Sequence, residues 1–157
     1  MDATAGSPAR KRLTPVAGSA GPSALDLEHV SARYFAAWQA RDPDAIAALH
    51  TEDTQFWSHL GTEPVHGREA VRATFAALFQ QFPNLGLAVH RVLFGASHWV
   101  LDWKLTFDGL DGKPRGFDCL DIVEVSPDGL VARKDTFIDS VQAQGGGIGK
   151  VDGGVGE

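Results

Sequence analysis

Asp121 is the residue whose setting most strongly suggests chemistry. Phe117, Cys119, Val123 and Val125 alternate with it in an extended run and share its face. A carboxylate in an apolar row is costly to ionise, and no basic residue lies on that strand face. The Asp121 carboxyl is therefore expected to be pushed above the ordinary carboxylate range. Kept neutral, it could donate a hydrogen bond to an oxyanion; otherwise it could move a proton as acid or base. The structural alternative is an Asp bonded to a backbone amide or to an arginine near the sheet edge. His59 carries an imidazole suited to proton transfer near neutrality, whereas its neighbour Ser58 cannot act as a base unaided. Adjacent strand residues face opposite ways, so His59 reaches a pocket beside Ser58 only if the strand has ended. A surface position is the other reading of His59.

Asp121 has to be positioned by a sheet, and the sequence supplies one. After Pro83-Asn84 the hydrophobic period changes to two. Leu85, Leu87, Val89, Arg91 and Leu93 form one row, and Trp99, Leu101, Trp103, Leu105 and Phe107 a second. Phe117 to Val125 form a third, and Val131 to Ile138 a fourth. Gly95-Ala96-Ser97, 108–113 and Ser126-Pro127-Asp128-Gly129 supply the hairpin connections.

Before the rows come three helical patterns and a short strand. The first helix starts near Asp26, with Ser23 or Asp26 as cap. Leu27, Val30, Tyr34, Ala37 and Trp38 lie on one face of it. Asp42-Pro43 opens a short second helix carrying Ala45, Ile46 and Leu49. Thr54–Trp57 reads as a short strand. The third helix runs from about Arg68 to Phe82, with Val71, Phe75, Leu78, Phe79 and Phe82 on its buried side. This order predicts an α+β fold in which three helices and a curled antiparallel sheet enclose a pocket.

Bulk properties narrow the function. The 157 residues suit one domain, placed over 24–143. Residues 1–23 and 144–157 are rich in small residues and are expected to be tails, the first carrying Arg10-Lys11-Arg12. A net charge of −6 argues against nucleic acid as the main partner. No apolar run approaches the roughly 20 residues that span a bilayer. No apolar stretch follows the basic triplet as a secretory signal would require, so a cytoplasmic location and no membrane partner are expected. Cys119 is the single cysteine, which excludes an intrachain disulfide and a Cys-rich zinc site. The six histidines show no HxxxH or HxH spacing, so no metal site is predicted.

The element order, and the segments Arg41-Asp42-Pro43-Asp44-Ala45-Ile46, Gly61 to Val71, and Phe117 to Asp121 followed by Asp128-Gly129-Leu130-Val131, resemble the nuclear-transport-factor-2-like superfamily. Within it the chain is similar to SnoaL-like polyketide cyclases and ketosteroid isomerases. The resemblance covers nearly all of 24–140 and implies a cone-shaped fold. Tyr34, the only tyrosine, matches the isomerases' oxyanion-hole tyrosine, and Asp121 matches their oxyanion-hole Asp. Ser58 stands where the isomerase has its general-base Asp, a departure that weighs against steroid isomerisation. Relatives that hydrolyse epoxides use an Asp-Arg-Asp group; Leu105, Phe107 and Thr136 occupy those places here, with Asp135 one residue out of phase.

The resemblance implies cofactor-independent cyclisation or isomerisation of a small carbonyl or polyketide-like compound, with Asp121, Tyr34, Ser58 and His59 as candidate catalytic residues. Trp38, Phe56, Trp99, Trp103, Phe107, Phe117, Cys119 and Thr136 would line the ligand pocket. The alternative is a non-catalytic ligand-binding or dimerisation module. A homodimer is expected through the outer sheet face, which carries Val100, Leu120 and Ile122.

Overall fold

A computed structural model of the chain describes residues 25–145. Both expected tails lie outside them, apart from the last two helical residues at 144–145. Helix α1 spans Leu27–Gln39. The Asp26 side chain caps it by accepting from the His29 N–H at 3.1 Å. Helix α2, Pro43–Ala48, is capped by Asp42, with Pro43 in its first turn. Strand β1, His50–Ser58, is longer than the four residues expected at 54–57. Strand β2, Val65–His66, pairs with it, and helix α3 follows over Arg68–Gln81. Gly67 enters α3 at φ +89°, a conformation that side chains with a Cβ rarely adopt.

The four alternating rows are strands β3 (Gly86–Phe94), β4 (His98–Asp108), β5 (Pro114–Val125) and β6 (Val131–Ile138). The sheet order is β2-β1-β6-β5-β4-β3, with β1 and β6 parallel and every other pair antiparallel. A short helix α4, Ser140–Gly145, was not anticipated. Its Gln142 side chain reads both the backbone N–H and the carboxylate of Asp118, each at 2.9 Å.

The core lies between the inner sheet face and the helices. Trp99, Leu101, Trp103, Leu105 and Phe107 of β4 are all buried, as the alternation predicts, and so are Phe117, Cys119, Asp121, Val123 and Val125 of β5. The row in β3 departs from it. The ladder to β4 shifts register between Val89 and Arg91, which moves Leu93 to an exposed position and turns Val92 toward the core; Val89, paired with Trp103 just before the shift, is itself exposed. A bulge of one residue inverts the faces beyond it, and no residue in the run marks it. Phe75 of α3 sits edge-on to Trp38, His50 and Phe56 and so joins the helices to the sheet.

Candidate functional site

An apolar opening leads in from one end of the cone. Its outer part has a volume of about 290 Å³, between α3 and the strands, and is bounded by Leu60, Val65, Leu78, Phe82 and Ile138, with Thr62, Glu63 and Gln81 among the polar residues. Phe56, Ser58, Leu78, Phe82 and Ile138 are shared with a smaller inner chamber of about 50 Å³. Trp38, Leu85, Trp103, Leu105, Phe117, Cys119, Lys134 and Thr136 complete that chamber.

Lys134 was not expected there. Its side chain is 6% exposed, and Nζ stands 3.0 Å from Asp121 Oδ2, whose own side chain is 1% exposed. The expectation that Asp121 is buried without a cation is therefore overturned: the cation comes from the neighbouring strand β6 rather than from β5. Thr136 Oγ1 donates to Asp121 Oδ1 at 2.8 Å. Oδ2 makes no aligned hydrogen bond, so Lys134 holds it by charge. Nζ also lies 4.5 Å from the centre of the Trp38 ring and 5.4 Å from that of Tyr34, within cation–π range. Burial pulls Lys134 toward the neutral amine, but the Asp121 charge, with Tyr34 and Cys119, outweighs it and raises the group above the ordinary lysine value.

Tyr34 belongs to a second network behind the chamber. Its hydroxyl is 3.0 Å from His50 Nε2, and His50 Nδ1 is 2.8 Å from Thr54 Oγ1. Thr54 Oγ1 donates to the carbonyls of Val131 and Ala132 at 3.2 and 3.3 Å, so it accepts from His50 Nδ1–H. In that tautomer Nε2 is the acceptor and the Tyr34 hydroxyl the donor; in the other tautomer both bonds reverse. Burial, reinforced by the charges of Lys134 and Arg68, lowers His50 to about 3, so the imidazole is neutral. Burial raises the Tyr34 phenol, against the pull of Lys134. In the first tautomer the Tyr34 proton is directed at His50.

The other expected site residues divide in two. Trp38, Phe56, Ser58, Trp103, Phe117, Cys119 and Thr136 line the inner chamber; Tyr34, Asp121, Trp99 and Phe107 do not. Asp121 lies behind Lys134 and Thr136. Trp99 is buried against Tyr34 and Phe35, and Phe107 against Phe82 and Phe117. Burial raises the Cys119 thiol to about 12, with the nearby Asp121 charge adding to it, so it is an inert wall.

His59 lies away from the chamber. It is stacked between Trp57 and Phe137 and bonded through Nε2 to Asp135 Oδ1 at 2.8 Å. Asp135 is also held by Arg133, on the opposite face of β6 from Lys134 and Thr136. No bulge brings Asp135 inside, since β5 and β6 stay in register from Cys119 to Glu124.

Sequence reasoning missed Lys134 and His50. For Lys134 a signal existed: it lies two residues before Thr136, so placing Thr136 inward places Lys134 inward too. For His50 the phase was hidden by the irregularity between His50 and Gln55 in β1, which leaves Glu52 exposed between two buried residues.

Three solved structures share the architecture. A putative SnoaL-like polyketide cyclase from Jannaschia sp. CCS1 is 25% identical, with 76% of this chain and 89% of that one covered and a TM-score of 0.66. SalBIII, an epoxide hydrolase/cyclase-like enzyme with a role in pyran ring formation in the polyether salinomycin, is 17% identical, with 73% and 92% covered and a TM-score of 0.66. A hypothetical protein with a ketosteroid isomerase-like fold from Catenulispora acidiphila DSM 44928, solved with trimethylamine, is 14% identical, with 68% and 82% covered and a TM-score of 0.61. Comparison with curated protein sequences gave no match. The SnoaL-like domain model matches residues 31–134, from the middle of α1 to Lys134 itself. With that span, this element order and this pocket, the chain belongs to the SnoaL-like domain family.

Proposed function

We propose that the chain is a cofactor-independent enzyme acting on a small carbonyl compound by acid/base chemistry, cyclisation or isomerisation. The observation that carries this reading is the Lys134–Asp121 pair at the base of an apolar chamber. Trp103 lines the same chamber, and its indole N–H is buried with no partner among the described residues. A carbonyl oxygen entering first would meet donors from Lys134 and Trp103, while the apolar outer part takes the rest of the molecule. As negative charge grows on that oxygen, an ammonium in a dry site stabilises it more than water would. Asp121, behind Lys134, can take and return a proton through it. In this reading Lys134 takes the oxyanion role that the resemblance assigned to Tyr34, and Ser58 orients the substrate at the neck.

Trp38 and Trp103 serve as built-in probes. Flat aromatic ketones should quench tryptophan emission saturably at micromolar concentration, and Lys134→Met should weaken that binding. Quenching that stays linear to millimolar ketone would remove the carbonyl site. With a turned-over ketone in hand, Asp121→Asn and Asp121→Ala should be comparably damaging, because both remove the relay. Retention of most activity by Asn would reduce Asp121 to a fixed partner of Lys134.

A second reading, a ligand-binding module without turnover, has one observation in its favour: among the described residues, no carboxylate side chain lines the inner chamber. Saturable binding with no product from any ketone tested would select it.

We also propose a homodimer through the outer sheet face. Phe137 is 40% exposed there, beside the stacked His59, and Val100, Leu120 and Ile122 are half-buried on the same face. Light scattering at tens of micromolar protein should give twice the monomer mass, and Phe137→Asp should shift it to monomer. A wild-type chain that scatters as monomer at that concentration rules the dimer out.

A further inference from the structure

We infer that Lys134 is an amine nucleophile that condenses with the carbonyl of an aldehyde or ketone lodged in the inner chamber, giving a covalent iminium. This rests on the carbonyl-binding reading above and adds a bond to it. Lys134 is the one buried lysine among the described residues; Lys104 is half-buried and Lys113 exposed. Lys134 lines the inner chamber, and its Nζ lies 4.5 Å from the ring centre of Trp38, another lining residue. The Asp121 carboxylate lies 3.0 Å from Nζ through Oδ2, and Thr136 donates to its other oxygen, Oδ1.

The Lys134 ammonium first passes one proton to Asp121, which gives an amine and a carboxylic acid. Burial disfavours both ions, so this transfer removes two desolvated charges at once. Burial is the largest influence on Lys134 and favours the amine, while Asp121 opposes it most, with smaller contributions from Tyr34 and Cys119; protonating Asp121 removes the largest of these. The amine nitrogen then attacks the carbonyl carbon, and the carbonyl electron pair moves to oxygen. That oxygen takes one proton from nitrogen and one from the Asp121 carboxyl and leaves as water. The products are an iminium cation, a restored Asp121 carboxylate and one water, with charge and atoms conserved. Apolar walls of Trp38, Phe56 and Phe117 keep water from reversing the step.

The test is reductive trapping of the full chain at neutral pH with hexanal and sodium cyanoborohydride, followed by peptide mass mapping. The hexyl adduct should form on Lys134 about tenfold or more faster than on Lys104 or Lys113, because a bound carbonyl is held against the amine. Lys134→Arg keeps a cation opposite Asp121 and should lose this adduct, whereas Lys104→Arg should keep it. Labelling of Lys134 no faster than of the exposed lysines overturns the inference. Hexanamide, whose carbonyl does not condense, separates the two ideas. If it quenches tryptophan emission while hexanal leaves Lys134 unlabelled, only the covalent step fails. If it does not bind and nothing labels, the carbonyl site fails with it.

Discussion

Lys134→Met is expected to destabilise the fold by about 3–5 kcal/mol, because it strands the Asp121 carboxylate in an apolar interior. A surface ion pair would cost far less, about 1 kcal/mol or below. The distinction turns on burial, and both partners here are nearly inaccessible. Removing both charges should undo most of the damage, since replacement of a whole buried pair by neutral groups is often close to neutral in stability. Lys134→Met with Asp121→Asn is therefore expected to lie nearer the wild type than Lys134→Met alone. Urea unfolding of the three proteins checks this. A single variant within about 1 kcal/mol of wild type would mean that the pair is hydrated in solution. The same cycle bears on function: a double variant that folds well yet binds no ketone would show that the pair is kept for its chemistry rather than for stability.

The second large effect is acid sensitivity centred on His50. Its folded-state pKa of about 3 lies below the ordinary histidine value of 6.5. Above about pH 6.5 neither the folded nor the unfolded chain protonates this group, and it contributes no slope. Below that, the unfolded chain takes up a proton that the folded chain refuses, so stability falls as pH falls, at up to roughly 1.4 kcal/mol per pH unit. The loss levels off near the folded value of about 3. His50→Gln keeps polar atoms near Tyr34 and Thr54 but removes the titration. Its urea midpoint should depend less on pH between 6.5 and 3 than that of the wild type. Equal slopes for the two proteins would place the acid sensitivity elsewhere. A protonated ring can only donate, so Nε2–H would then donate to the Tyr34 oxygen and leave the phenol proton free.

Much of the fold was legible in the sequence because its elements obey simple periods. The β4 and β5 rows, the Asp26 and Asp42 caps and the apolar face of α3 are local patterns, and the structure reproduces them. The site was legible only in part because it depends on which strands become neighbours. Asp121 was read from its own strand, whose face is apolar, whereas its charge partner arrives from β6 at the next position across the sheet. Tyr34 was rightly placed on a buried helix face, but which group its hydroxyl meets depends on β1, whose irregular start hides the phase of His50. The β3 row failed for a related reason: a bulge is a backbone event that a hydrophobic pattern does not record.

The parallel seam between β1 and β6 also bears on how the molecule comes together. Thr54 and Val131, bonded across it, are 77 residues apart in sequence, whereas β3 to β6 form a meander of neighbours. Contacts this distant are reached late, because the chain must lose the entropy of a long loop before they repay it. The meander can bring Lys134 beside Asp121 without the seam, but Phe56, Ser58 and the His50–Thr54 network join only when β1 docks. An ion pair would then form first in a half-open, wet site and be dehydrated by the last event of folding. Variants that weaken the seam, such as Thr54→Ala, should chiefly speed unfolding rather than slow folding, as expected of contacts absent from the transition state.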